Sequence, residues 1–156
     1  MLTADLSWHQ VAVLRALGAY LCQTRTTYSR AYVEEAMVAN PAAARALVFY
    51  FEARFSPDVD GDRAALQKDA NAALHASFDD VTSLDHDRIL RDLTQIVTAA
   101  VRTSAFRDSS ESATLTFKLR PGQIPWLPRP IPEHELFVYS PRVEGVHLRF
   151  GDVARG

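Results

Sequence analysis

The stretch SPDVDGD sets three acids, Asp58, Asp60 and Asp62, at alternate positions around Gly61. Oxygen ligands at that spacing are the raw material of a calcium loop. A loop of the EF-hand kind, however, places its glycine after the third acid, and here Gly61 lies between the second and the third. The competing reading is a solvated turn that caps the helix after it. The histidines His9, His75, His86, His134 and His147 include no pair four residues apart on one helix, and Cys22 stands alone, so spacing assembles no zinc set. G-x-S-x-G, G-x-G-x-x-G and Walker A loops do not occur. Ser140-Pro141 reads as a turn. Pro125-x-x-Pro128 followed by Arg129 has the form of a ligand for an SH3-type groove, but lying between two strand patterns it reads as a rigid connector. No acid, base and nucleophile come together, so catalytic, cofactor-binding and metal residues are left unassigned by this route.

The elements that would position such residues fall into two kinds. Up to about residue 108 the chain is rich in alanine and, before Gly122, contains only Gly18 and Gly61 as glycines. Val11, Leu14, Leu17 and Leu21 recur at helical spacing, and Ser29 is placed to cap a second helix carrying Tyr32, Val33, Ala36 and Met37. Asn40-Pro41 ends it, and Pro41 suits the first turn of a third helix with Leu47, Val48, Phe51 and Phe55. A fourth is expected over about 62–81. A fifth is expected from Ser83 or Asp85 through Ile89, Leu93, Ile96 and Val97 to Thr103, its early acids favoured by the helix dipole.

From about Ser109 onward proline, glycine, threonine, valine and phenylalanine take over, and all prolines except Pro41 and Pro57 lie in this last third. Leu115, Phe117 and Leu119 alternate with Thr114, Thr116 and Lys118, as in a strand buried on one face. ELFVYS and VEGVHLRF give two more, with Val146, Leu148 and Phe150 on one side of the last and His147 and Arg149 on the other. The expected class is α+β: a five-helix bundle or array over 1–108, then a small, mostly antiparallel three-stranded sheet over 109–156. Three strands with an open edge need a cover.

The chain has 156 residues, 47% hydrophobic and 23% charged, with a net charge of −2, the profile of an ordinary globular protein. The arginines are interspersed with acids, so no basic stripe marks a nucleic-acid or anionic-membrane partner. A secretory signal pattern and a spanning-length apolar run are both lacking, and one cysteine fits a reducing compartment; the expected location is the cytoplasm.

Four runs taken together resemble a known family: LGAYLCQTRTTYSRAYVEEAMVANP (17–41), LDHDRILRDL (84–93), LTFKL (115–119) and FVYSPRVEGVHLRFGDVARG (137–156). They are similar to the large NAD-specific bacterial glutamate dehydrogenases. The resemblance implies a helical segment followed by the first strands of a catalytic domain, amounting to roughly a tenth of such a subunit. It implies that the parent enzyme uses NAD to convert L-glutamate to 2-oxoglutarate and ammonia. The rest of that enzyme or its subunits would be the partner, and this piece would hold no cofactor and lack activity alone. It also places Arg155 and Gly156 at a substrate-binding turn, where small glutamate dehydrogenases carry a lysine and a glycine. Arginine there can clamp a carboxylate bidentately, and glycine lets the backbone come close. Two other readings are a helical interaction or oligomerisation module and a small-molecule sensor with a pocket between bundle and sheet.

Overall fold

The computed structural model describes residues 6–24, 26–107 and 114–151. Among the described residues five α-helices come first: α1 (Trp8–Gln23), α2 (Arg30–Ala39), α3 (Pro41–Phe55), α4 (Arg63–Ala76) and α5 (Leu84–Ala99). Four strands form one sheet in chain order: β1 (Ala100–Thr103), β2 (Leu115–Leu119), β3 (His134–Tyr139) and β4 (Glu144–Arg149), each antiparallel to the next.

The helix starts follow from side-chain capping. Ser7 and Gln10 form a reciprocal capping box on α1, and Ser29 and Ser83 accept from Tyr32 and His86 backbone N–H groups on α2 and α5. Asn40 (φ −124°, ψ 66°) breaks the chain between α2 and α3, and Pro41 occupies the first turn of α3, where its missing N–H is harmless. Helix α4 ends at Ala76, short of the expected Val81, and a run of turns carries the chain to Ser83.

The expectation of a fifth helix reaching Thr103 and of three strands is corrected: α5 stops at Ala99, and Ala100–Thr103 is a fourth strand. Ala100 turns to extended geometry (φ −70°, ψ 134°), and its partner in the ladder is Leu119. Two β-branched residues, Val101 and Thr103, favour the extended state locally. The open edge of β2 then supplies backbone partners that a further helical turn would not.

Helix α5 is central to the helical layer and packs against α1, α2 and α3, while β3 lies on α1 and β1 continues from α5. On the sheet's inner face Leu115, Phe117 and Leu119 of β2 are buried, with Glu135, Phe137 and Tyr139 of β3 beside them in register. Phe51 of α3 meets the Phe117 ring edge-on at 5.9 Å, and Tyr20 of α1 meets Phe137 at 5.4 Å. The side chains of helices and sheet therefore share one continuous core. Among the described residues, β1 and β4 are the outer strands, and Leu148 of β4 remains 48% exposed.

Candidate functional site

Alternation along β3 puts Glu135 on the same face as Phe137 and Tyr139, so the strand carries a carboxylate into the core. Glu135 is 7% exposed. A buried carboxylate is costly unless it is hydrogen-bonded, and the partner comes from the facing helix. Tyr20, on the apolar stripe of α1 and itself 1% exposed, donates its hydroxyl to Glu135 Oε2 at 2.5 Å. Burial, and then the hydrogen bond and charge of Glu135, hold the Tyr20 phenol's pKa far above the ordinary tyrosine range. The phenol is thereby fixed as a hydrogen-bond donor, not a base.

Around this pair lies a groove of about 360 Å³, within the size range of small-ligand sites. Its floor is Tyr20 and Glu135. One wall is the end of α1, with Gln23 and Thr24; the other is the proline-rich connection from Leu127 to Pro132. Val146, Leu148 and Phe150 complete it from the β4 side. The register explains this last set, since Leu148 pairs with Glu135 and Val146 with Phe137, and cross-strand partners share a face. At the rim Glu144 of β4 accepts from Gln23 Nε2 at 2.7 Å and forms an ion pair with Arg30, tying the sheet edge to α1 and α2.

The residues singled out from sequence are dispersed. Asp62 is the N-cap of α4, its Oδ1 accepting from the Ala64 and Ala65 backbone at 3.0 and 3.1 Å, and Gly61 supplies the positive φ (+83°) of the turn before it. Among the described residues no three His, Cys, Asp or Glu side chains come together as a metal set. His86 lies beside Asn40 and the Tyr32 ring, His75 against Phe78, His9 against Phe106, and His147 is exposed on β4. Burial pushes the Cys22 thiol pKa up against the opposing pull of Arg30, which disfavours the reactive thiolate. The segment from Pro125 is a connector, as expected: Trp126 and Leu127 pack on the core and Pro132 is buried. Ser140 forms the β3–β4 turn, its Oγ accepting from the Val143 backbone at 3.0 Å. Arg155 and Gly156, the substrate-turn candidates, lie outside the described residues.

Sequence reasoning passed over Glu135 and its partner Tyr20. The signal was present in HELFVYS, where Glu135 shares the parity of Phe137 and Tyr139. An acid in phase with two buried aromatics is either an edge residue or a paired buried charge, and only the position of α1 decides between them.

Comparison with known proteins adds the family. The model for the bacterial NAD-glutamate dehydrogenase catalytic domain matches residues 73–156, and that for glutamate dehydrogenase helical motif 3 matches residues 1–57. The NAD-specific glutamate dehydrogenase of Mycobacterium tuberculosis is 47% identical over 163 aligned positions spanning 100% of this chain. Those of Pseudomonas aeruginosa and Halomonas elongata are 40% and 39% identical over 100% and 98% of it. The chain spans 10% of the length of each of these relatives. The catalytic-domain match covers more than half of the sequence and includes all four strands together with the whole of α5, and the chain belongs to the bacterial NAD-glutamate dehydrogenase family.

Proposed function

We propose that this chain works as part of an NAD-dependent glutamate dehydrogenase and that, taken alone, it holds no complete active site. The observation that carries this reading is the identity of 47%, spread over 100% of the chain, with a relative named for that activity. The reaction of the whole enzyme is oxidative deamination, in which L-glutamate, water and NAD give 2-oxoglutarate, ammonia and NADH, the cofactor supplying the hydride-accepting chemistry. The sequence contains no glycine-rich phosphate loop. The residues that hold NAD are accordingly assigned to the parts of the relatives that this chain does not match.

In this reading the first helices supply a helical segment, and α5 with the four strands opens the catalytic domain, an arrangement that the family match over residues 73–156 supports. The shared core makes the helices a rigid backing for the sheet, so that the strand ends are delivered at fixed positions. Arg155 clamps a carboxylate of the substrate with its planar fork, and Gly156 leaves room for the backbone to approach it. Partners are the remainder of the enzyme and its subunits. No helix among the described residues is long and apolar enough to cross a membrane, and a cytoplasmic setting fits a nicotinamide-linked amino-acid oxidation.

The direct test is NADH formation from L-glutamate and NAD by the purified chain, followed by absorbance. No turnover is expected, and turnover above that of a mock preparation would overturn the assignment of an incomplete site. A second reading, an assembly module, is favoured by the outer position of β4 and by Val143, which is 69% exposed. Light scattering across a concentration series separates the two: a monomer throughout counts against assembly through the isolated chain.

A further inference from the structure

The groove over Glu135 has a chemistry that the glutamate dehydrogenase reading does not use. Its floor carries a buried carboxylate, and among the described residues Tyr20 supplies the hydrogen bond to it. A carboxylate offers about four lone-pair sites, so one phenol leaves most of its acceptor capacity unused. A buried negative charge also favours a cationic neighbour. Arg129 also lines the groove and is exposed, and a guanidinium is a fitting partner for an anion. The rest of the lining includes hydrocarbon: Leu127, Val146, Leu148 and Phe150. Leu148 and Phe150 are 48% and 59% exposed, leaving apolar area for a ligand to cover.

We propose that this groove binds a small zwitterion with a hydrocarbon body, a free amino acid with an apolar side chain. Its ammonium meets Glu135, its carboxylate meets Arg129, and its side chain lies along Val146, Leu148 and Phe150. Opposite charges in one groove select against ligands bearing one charge alone, because each would leave the other protein group without its counterpart. At about 360 Å³ the volume suits a ligand of this size rather than a folded partner.

The test is calorimetric titration of the 156-residue chain with L-norleucine and with its two single-charge halves, pentylamine and hexanoate. Saturable binding of norleucine is expected, with each half at least about 10-fold weaker, the lower end for losing a charge-assisted hydrogen bond. Arg129→Ala, at an exposed position, is expected to weaken norleucine by a similar factor and to leave pentylamine within about 2-fold. Glu135→Gln is expected to weaken pentylamine and norleucine together, provided that its circular dichroism is unchanged. Three results would each overturn the proposal: no saturable heat with norleucine up to ~50 mM, half-ligands as tight as the whole, or an Arg129→Ala chain that binds norleucine like the parent. The second of these would mark the groove as merely apolar. The first would leave it as a seat for another segment of polypeptide.

Discussion

Replacing Tyr20 with phenylalanine removes one oxygen atom from the core and leaves the Glu135 carboxylate without its donor. Both residues are buried, at 1% and 7% exposure, and water entering from the groove replaces the lost hydroxyl only in part. A hydrogen bond to a charged group contributes about 1.5–3 kcal/mol net, and an orphaned buried acceptor costs a similar amount. The ring is retained, including its contact with Phe137 at 5.4 Å, so little packing is lost. The expected destabilisation is therefore about 2–3 kcal/mol, or roughly 5–10 °C in Tm for a chain of this size. Urea denaturation with and without the substitution measures it, and m should not change. A double mutant with Glu135→Leu should recover part of the loss, because both polar partners are then gone. The pH dependence gives a second readout. The folded-state pKa of Tyr20 is raised, so its contribution is full below the unfolded value of about 10 and is lost as pH rises beyond it. That part of the alkaline slope should vanish in Tyr20→Phe. A Tyr20→Phe chain within about 0.5 kcal/mol of the parent would show that the pair is not what accommodates Glu135 in the core.

Other expectations follow from the same packing. Phe137→Ala, at 0% exposure between Tyr20 and Phe117, should cost about 3–5 kcal/mol in denaturant titration. Burial raises the Asp92 carboxyl to about 6 against the lowering effect of Arg88, so its contribution to stability is full below about pH 4 and is lost as pH rises through 6. Asp92→Asn should thus stabilise the chain at neutral pH by about 1 kcal/mol, after discounting for solvent screening, and should flatten the slope between pH 4 and 6. At Gly18 a Cβ would already meet Val33 Cγ1 at 3.2 Å; Gly18→Val should cost about 1–3 kcal/mol by forcing α1 and α2 apart. Arg30→Ala breaks the exposed ion pair with Glu144 and should change stability by no more than about 1 kcal/mol.

The helical layer was legible because its signals are local. Ser29 and Pro41 mark helix starts through their own side chains, and the stripe from Val11 to Leu21 sets the buried face of α1 within about three turns of one helix. The end of α5 was not legible, since Ala99, Ala100 and Val101 continue an apolar run that either state accepts. What decides it is the ladder with Leu119, Lys118 and Phe117, more than a dozen residues away in sequence. The same holds for the groove. Parity placed Val146, Leu148 and Phe150 on one side of the last strand, and the structure finds them lining one groove. That their neighbour is a carboxylate depends on the β3–β4 register, and that it has a phenol above it depends on how α1 crosses the sheet. The family was visible in runs such as FVYSPRVEGVHLRFGDVARG, whereas the roles of Arg155 and Gly156 rest on resemblance.

The central claim is that this chain supplies a working piece of an NAD-dependent glutamate dehydrogenase. A chimera tests it most directly: the Mycobacterium tuberculosis relative, with its matched segment replaced by these 156 residues, assayed for NADH formation from L-glutamate. The account predicts turnover within about 10-fold of the unaltered relative, equivalent to a barrier change below about 1.4 kcal/mol. It also predicts that Arg155→Ala in the chimera raises KM for glutamate. A chimera that folds and assembles like the relative yet oxidises no glutamate would contradict it.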